Sequence, residues 1–139
     1  MKTIRKVQMI VWVKNEAGLP EFFAIKRNKQ RDCVILTGKI GDKPEIKNES
    51  NKAAALRELK EELNISPEDI IELNIENKAQ IKKDLVFLEY PFLIRIKDKN
   101  IHFMEYKAEE IWLSKEEILK NLTYDTQKLS IQKALEIIS

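Results

Sequence analysis

Glu49, seven intervening residues, and then Arg57-Glu58-Leu59-Lys60-Glu61-Glu62-Leu63-Asn64-Ile65 form the stretch on which the reading of this chain turns. Residues 50–63 contain neither Gly nor Pro, and Ala53-Ala54-Ala55-Leu56 favours helix, so a helix is expected over 50–63. Each helical residue turns by about 100°. Glu58, Glu61 and Glu62 are therefore neighbours on one face, while Leu56, Leu59 and Leu63 are expected on a separate stripe that faces a core.

Three carboxylates crowded on one helical face repel, at a few tenths of a kcal/mol per pair on an isolated helix. Water relieves that repulsion, and so does a cation. Hard divalent ions take oxygen ligands, and Mg²⁺ typically uses one or two carboxylates together with substrate phosphates. Glu-Leu-Lys-Glu-Glu-Leu by itself reads equally as a solvated surface helix. The wider constellation decides between the two. Glu49, the seven-residue gap and Arg-Glu-aliphatic-x-Glu-Glu-x-x-aliphatic resemble the Nudix box, G-x5-E-x7-R-E-U-x-E-E-x-G-U with U aliphatic, and Thr37-Gly38-Lys39-Ile40 resembles its glycine end.

Two departures stand out. Ten residues separate Gly38 from Glu49 where the pattern has five, which implies a loop insertion at 42–47. Asn64 replaces the glycine after the Glu-Glu pair, a mild change because Asn also tolerates a left-handed helix cap.

The resemblance implies an α/β chain with the Nudix fold, a mixed β-sheet in an α/β/α sandwich, occupying residues 1–139 as one domain. It also implies Mg²⁺-dependent hydrolysis of a pyrophosphate bond in a nucleoside diphosphate derivative, with Mn²⁺ as an alternative ion. By resemblance Glu58, Glu61 and Glu62 are metal ligands and catalytic residues, and the Gly38 carbonyl is a further ligand. Glu49 and Arg57 brace the loop against the helix. An additional catalytic acid is expected at Glu105, within Ile101-His102-Phe103-Met104-Glu105-Tyr106, with Glu109 and Glu110 as competitors.

Substrate signals are weaker. Leu36-Thr37-Gly38 together with residues 105–112 resembles the deoxynucleoside and dihydroneopterin triphosphate pyrophosphohydrolases, which release pyrophosphate and a monophosphate. Residues 122–135 are similar to the asymmetric dinucleoside tetraphosphate hydrolases. Against the latter, Ile81, Lys82 and Lys83 stand where a tyrosine belongs, and Gln80 stands near the place of the proline of ADP-sugar hydrolases. A Nudix module that senses a nucleotide without turnover is the alternative of another class, which intact Glu58, Glu61 and Glu62 disfavour. Trp12, Phe22 and Tyr90 are read as core residues before base-stacking ones.

Composition agrees with a globular cytosolic protein. Basic residues number 25 and acidic 23, a net charge of +2, and lysines are scattered, so no nucleic-acid partner is expected. No apolar run approaches the ~20 residues of a membrane span, and no signal-peptide pattern is present. The single cysteine, Cys33, reads as a small buried hydrophobe, and the single histidine, His102, as structural or superficial. The partner implied is a small nucleotide, with no organic cofactor, and the sequence leaves a homodimer open.

Strands are expected at 4–13, 21–26, 33–36, 70–75, 85–96, 101–104 and 111–113, with Pro91 placing 85–96 at an edge or bulge. Ser114-Lys115-Glu116-Glu117 matches a capping box. A last helix over 125–138 is expected to bury Leu129, Ile131, Ala134, Leu135 and Ile138.

Overall fold

The structure, a computed structural model, describes residues 1–103 and 108–138. Its spine is a parallel pair. Strand β1 (Lys2–Lys14) runs alongside β7 (Leu85–Arg95) in register from Lys2↔Leu85 to Trp12↔Arg95. The other pairings are antiparallel. β2 (Pro20–Arg27) and β4 (Leu36–Lys39) flank β1, β3 (Asp32–Val34) and β8 (Glu109–Leu113) flank β2, and β5 (Asp69–Glu72) and β6 (Asn77–Lys82) flank β7. Among the described residues this is a mixed eight-stranded sheet.

Helix α1 (Asn51–Leu63) covers one face, and α2 (Lys115–Asn121) with α3 (Asp125–Ile137) covers the other. Alternation along β1 feeds both layers: Val7, Met9, Val11 and Val13 pack toward α1, and Ile10 packs toward α3. The result is the α/β/α sandwich. Among the described residues no helix is long and apolar enough to cross a membrane.

The caps follow local chemistry. Ser50 accepts from the Ala53 N–H at 3.1 Å to open α1, and Asn64 closes it in the left-handed region at φ 54°. Ser114 and Glu117 form the expected reciprocal capping box.

Several expectations need correcting. Strand β7 is central, because β1 and the pair β5/β6 bracket it, so Pro91 marks neither an edge strand nor a bulge within β7. Pro91 instead falls where β7 changes antiparallel partner, after Glu89 pairs with β6 and before Phe92 pairs with β5, and its carbonyl accepts from the Leu73 N–H at 3.1 Å. A proline is tolerated at such a gap because no ladder donor is lost. The expected strand 33–36 is split at Ile35, with β3 pairing β2 and β4 pairing β1. The strand expected at 70–75 is the shorter β5, and the polar strand β6 had no apolar alternation to reveal it. Residues 101–103 are not strand, and Met104 lies outside the described residues.

The helix faces also differ from expectation. Leu56 is partly exposed, while Ala55, Glu58, Leu59, Glu62 and Leu63 are buried, so the acid face overlaps the sheet-facing one. On α3, Leu129 is 54% exposed, and polar Gln127 and Ser130 take the buried side with Ile131 and Ala134. Leu135 and Ile138 pack at its margin.

Candidate active site

The site begins with α1 and the loop before it. Glu58 is 7% exposed and Glu62 5% exposed, whereas the Glu61 side chain stands 47% exposed. Gly38 on β4 lies directly against Glu58, and a Cβ at Gly38 would overlap the Glu58 carboxyl carbon. Only glycine permits this approach of backbone to carboxylate. The ten-residue gap therefore leaves Gly38 beside the helix. Its extra residues fold into a short 3₁₀ turn at Pro44–Ile46, reached through Gly41 at φ 61°. There a side chain would meet the Lys47 carbonyl.

Arg57 binds this assembly together. Its Nε and Nη2 donate to the two Glu49 carboxylate oxygens at 3.0 and 2.6 Å, a bidentate pair. Nη2 also donates to the Lys39 carbonyl at 3.0 Å, and Nη1 donates to Glu58 at 3.0 Å and Glu61 at 3.2 Å. Glu49 in turn accepts from the Gly41 N–H at 2.9 Å. The hydrogen bonds from Arg57 hold the Glu49 carboxyl below its ordinary range. Glu58 behaves oppositely: burial pushes its carboxyl up, Arg57 pulls it down, and Glu61 and Asp42 push it up again.

Across the sheet, a cavity of about 610 Å³ opens between β1, β7, the β6 strand and the start of α3. Lys6, Arg27, Thr37, Phe87, Glu89 and Thr126 are among its walls. None of the α1 acids lines it. Thr37, next to Gly38, and Lys6 connect the two regions. Burial lowers the Lys6 ammonium from its ordinary range, with Glu89 and Glu62 opposing and Arg27 and Lys39 assisting.

Sequence reasoning missed this cavity. The available signal was a charged residue, Glu89, inside the apolar run of β7, and a lysine, Lys6, inside β1. Neither Trp12, Phe22 nor Tyr90 is among the cavity residues. Phe22 is core, Trp12 packs against the α3-side core, and the Tyr90 hydroxyl donates to Glu76 at 2.6 Å. Glu105 lies outside the described residues. Glu110 is engaged by the Phe103 N–H and by His102 at 3.4 Å, and Glu109 is exposed on β8. His102 is exposed, and Cys33 is buried with its thiol pushed up by desolvation.

A profile described as NUDIX domain matches residues 4–133. The chain belongs to the Nudix domain family. No curated protein matches it by sequence. Among solved structures it is similar to a NUDIX hydrolase of Listeria monocytogenes, with TM-score 0.77 and 23% identity over 94% of this chain and 91% of that one. It is also similar to the dihydroneopterin triphosphate pyrophosphohydrolase of E. coli, with TM-score 0.77 and 16% identity over 93% and 92%. The Ap4A hydrolase of C. elegans superposes with TM-score 0.71 and 17% identity over 96% of each chain. At these identities the superpositions establish the fold alone. Membership of the Nudix domain family is what supports a pyrophosphohydrolase.

Nudix hydrolases generally use divalent cations. The donors near Gly38 are all oxygen, the chemistry hard cations prefer. Among the described residues no group of three His, Cys, Asp or Glu side chains converges where it could hold a metal ion by itself, and Arg57 lies across two of the acids. Mg²⁺ suits a half-built site of this kind because it keeps several waters and shares substrate phosphates. The residues fit a divalent ion that is completed by substrate.

Proposed function

We propose that this chain, acting as one Nudix unit, hydrolyses a (deoxy)nucleoside triphosphate to the monophosphate and pyrophosphate. The observation that carries this reading is the junction at Thr37-Gly38. There a backbone pressed against a buried carboxylate adjoins a cavity of nucleoside size, about 610 Å³. Glu58, Glu61, Glu62 and the Gly38 carbonyl would hold Mg²⁺, or Mn²⁺ in its place. The bound ion supplies neutralisation of phosphate charge and a lowered pKa for water.

The chain's own residues divide the remaining work. Arg57 and Glu49 keep the Gly38 loop against α1 and hold Glu58 and Glu61 in place. Lys6, a wall of the cavity, supplies a cation for the polyphosphate. The proton from the attacking water passes to a carboxylate of the acid cluster or to Glu105, and the leaving group departs as pyrophosphate.

The test is chromatographic product analysis of a nucleotide panel, in Mg²⁺ and in chelator, with phosphate release by added inorganic pyrophosphatase as the readout for the triphosphates. The panel includes diadenosine tetraphosphate and ADP-ribose. Pyrophosphatase-dependent release from triphosphates, abolished by chelator, is expected. Faster turnover of diadenosine tetraphosphate would replace the triphosphate reading with the dinucleoside one. Tight nucleotide binding with no turnover on any member would leave a sensor module.

A further inference from the structure

We propose that the turn of the β2–β3 hairpin, with the end of α2, binds a phosphate group in a site separate from the α1 acids.

A smaller pocket of about 350 Å³ opens there. Its walls carry three cations, Lys26, Arg27 and Arg31, and a single acid, Asp32. Asp32 is already engaged. Its two oxygens accept from Arg27 at 2.8 and 2.6 Å, and Oδ2 also accepts from the Tyr124 hydroxyl at 2.7 Å. Lys26 and Arg31 are exposed, and among the described residues neither side chain has an ion pair or a hydrogen bond. Neutral donors complete the wall. Thr123 Oγ1 accepts from the Cys33 N–H at 2.9 Å, so its own proton remains to donate. Asn121 donates one amide N–H to the Glu117 carbonyl at 2.7 Å, and its other N–H remains.

The backbone adds an independent observation. Arg31 holds φ 54°, the left-handed region that glycine and asparagine enter with least strain. The turn thus carries a long cationic side chain at a position where it is conformationally costly. Backbone strain of this kind clusters at ligand sites.

Charge and donor type narrow the occupant. Two unpaired cations with O–H and N–H donors around one small pocket match a tetrahedral oxyanion that carries more than one negative charge, as phosphate does. A carboxylate brings one charge and two oxygens. A nucleic-acid strand needs a stripe of cations, and the net charge of this chain is only +2. Arg27 also lines the larger cavity, and Thr123 of this pocket precedes Tyr124 of that one. The phosphate is therefore either free in solution or carried by a nucleotide seated in the adjoining cavity. Only the second source rests on reading that cavity as the place of the nucleoside.

The test follows the backbone amide NMR shifts of the full chain during titration with inorganic phosphate in magnesium-free buffer. Shifts are expected at residues 26–33 and 121–123, and added salt should weaken the binding. Lys26→Gln and Arg31→Asn should each weaken it by about tenfold or more. Arg31→Asn should also keep or raise the melting temperature, because asparagine relaxes the left-handed backbone. Weaker binding without lost stability is a combination that a merely structural arginine would not give. A second arm compares a nucleoside 3′,5′-bisphosphate with the corresponding 5′-monophosphate. A tighter bisphosphate, whose advantage disappears in Arg31→Asn, identifies the nucleotide-borne source.

Phosphate shifts confined to other residues, or equal affinity in wild type and both variants, would overturn the proposal. So would absence of phosphate binding together with no bisphosphate advantage. Should Arg31→Asn fail to fold by circular dichroism, Lys26→Gln decides both arms. Neither arm requires turnover, so the outcome is independent of the hydrolysis proposed above.

Discussion

Helices α1 and α3 both place polar side chains on the face that packs against the sheet, and they do so for different reasons. On α3, Gln127 and Ser130 complete the sandwich. The Gln127 carbonyl oxygen accepts from the Ile35 N–H at 3.0 Å, where the chain passes from β3 to β4 and the strand ladder offers Ile35 no partner. The Ser130 hydroxyl accepts from Asn77 at 2.7 Å and donates to the buried Gln8 carbonyl. On α1, Glu58 and Glu62 are buried beside Glu61, a like charge, with Arg57 bridging Glu58 and Glu61. Burial and like charge both work against ionised Glu58. The α3 side thus buries neutral polar groups in mutual hydrogen bonds, whereas α1 buries like charges against one another.

The sharpest way to break this contrast is to neutralise an α1 acid. Glu62→Gln or Glu61→Gln should reduce turnover beyond the about 10–100-fold lost when only a ligand's supporting partner is removed. The melting temperature without metal should stay level or rise, because repulsion is relieved. Near-normal rates would remove these acids from the site.

Gly38→Ala comes next. Its new Cβ must displace the Glu58 carboxyl, so activity should fall together with stability, the latter by about 1–3 kcal/mol in urea unfolding.

On the other face, Ser130→Ala should cost about 1–3 kcal/mol of stability, because Gln8 loses its buried donor. Turnover should be unchanged; a large loss of rate would merge the two helices into one functional unit.

The smallest effect concerns pH. Asp32 accepts from Arg27 at 2.8 and 2.6 Å and from the Tyr124 hydroxyl at 2.7 Å, and Arg27 leads in holding its carboxyl below the ordinary range. The folded pKa is the lower one, so this stabilisation is present above the unfolded value of about 3.9 and is lost as pH falls through the folded value. Asp32→Asn should therefore lower the melting temperature by a constant amount from neutral pH to about pH 5, and the difference should shrink as pH falls below the unfolded carboxylate value and on through the lower folded one. A difference that persists in strong acid would mean that Asp32 acts by packing.

Reading α1 from sequence succeeded where chemistry was written in consecutive spacing. The Glu49–Arg57 pairing, the Ser114 cap and the left-handed Asn64 all came from residues within eight positions of one another. The same local reasoning failed for the buried side of α3. An apolar-only rule chose Leu129 over Gln127, whose partner Ile35 lies 92 residues away. It also missed the cavity, because Lys6 and Glu89 become neighbours only through the parallel register of two distant strands.

The amino-acid order alone determined which segment carries the acids, how its helix starts and stops, and that the chain has the family's box. Folding in three dimensions decided which carboxylates are buried, that Gly38 touches Glu58 despite the longer loop, and that a second polar pocket faces α3. The physical reason is range. Caps and helical neighbours depend on backbone groups a few residues away, whereas burial and desolvation depend on every element that packs above a side chain.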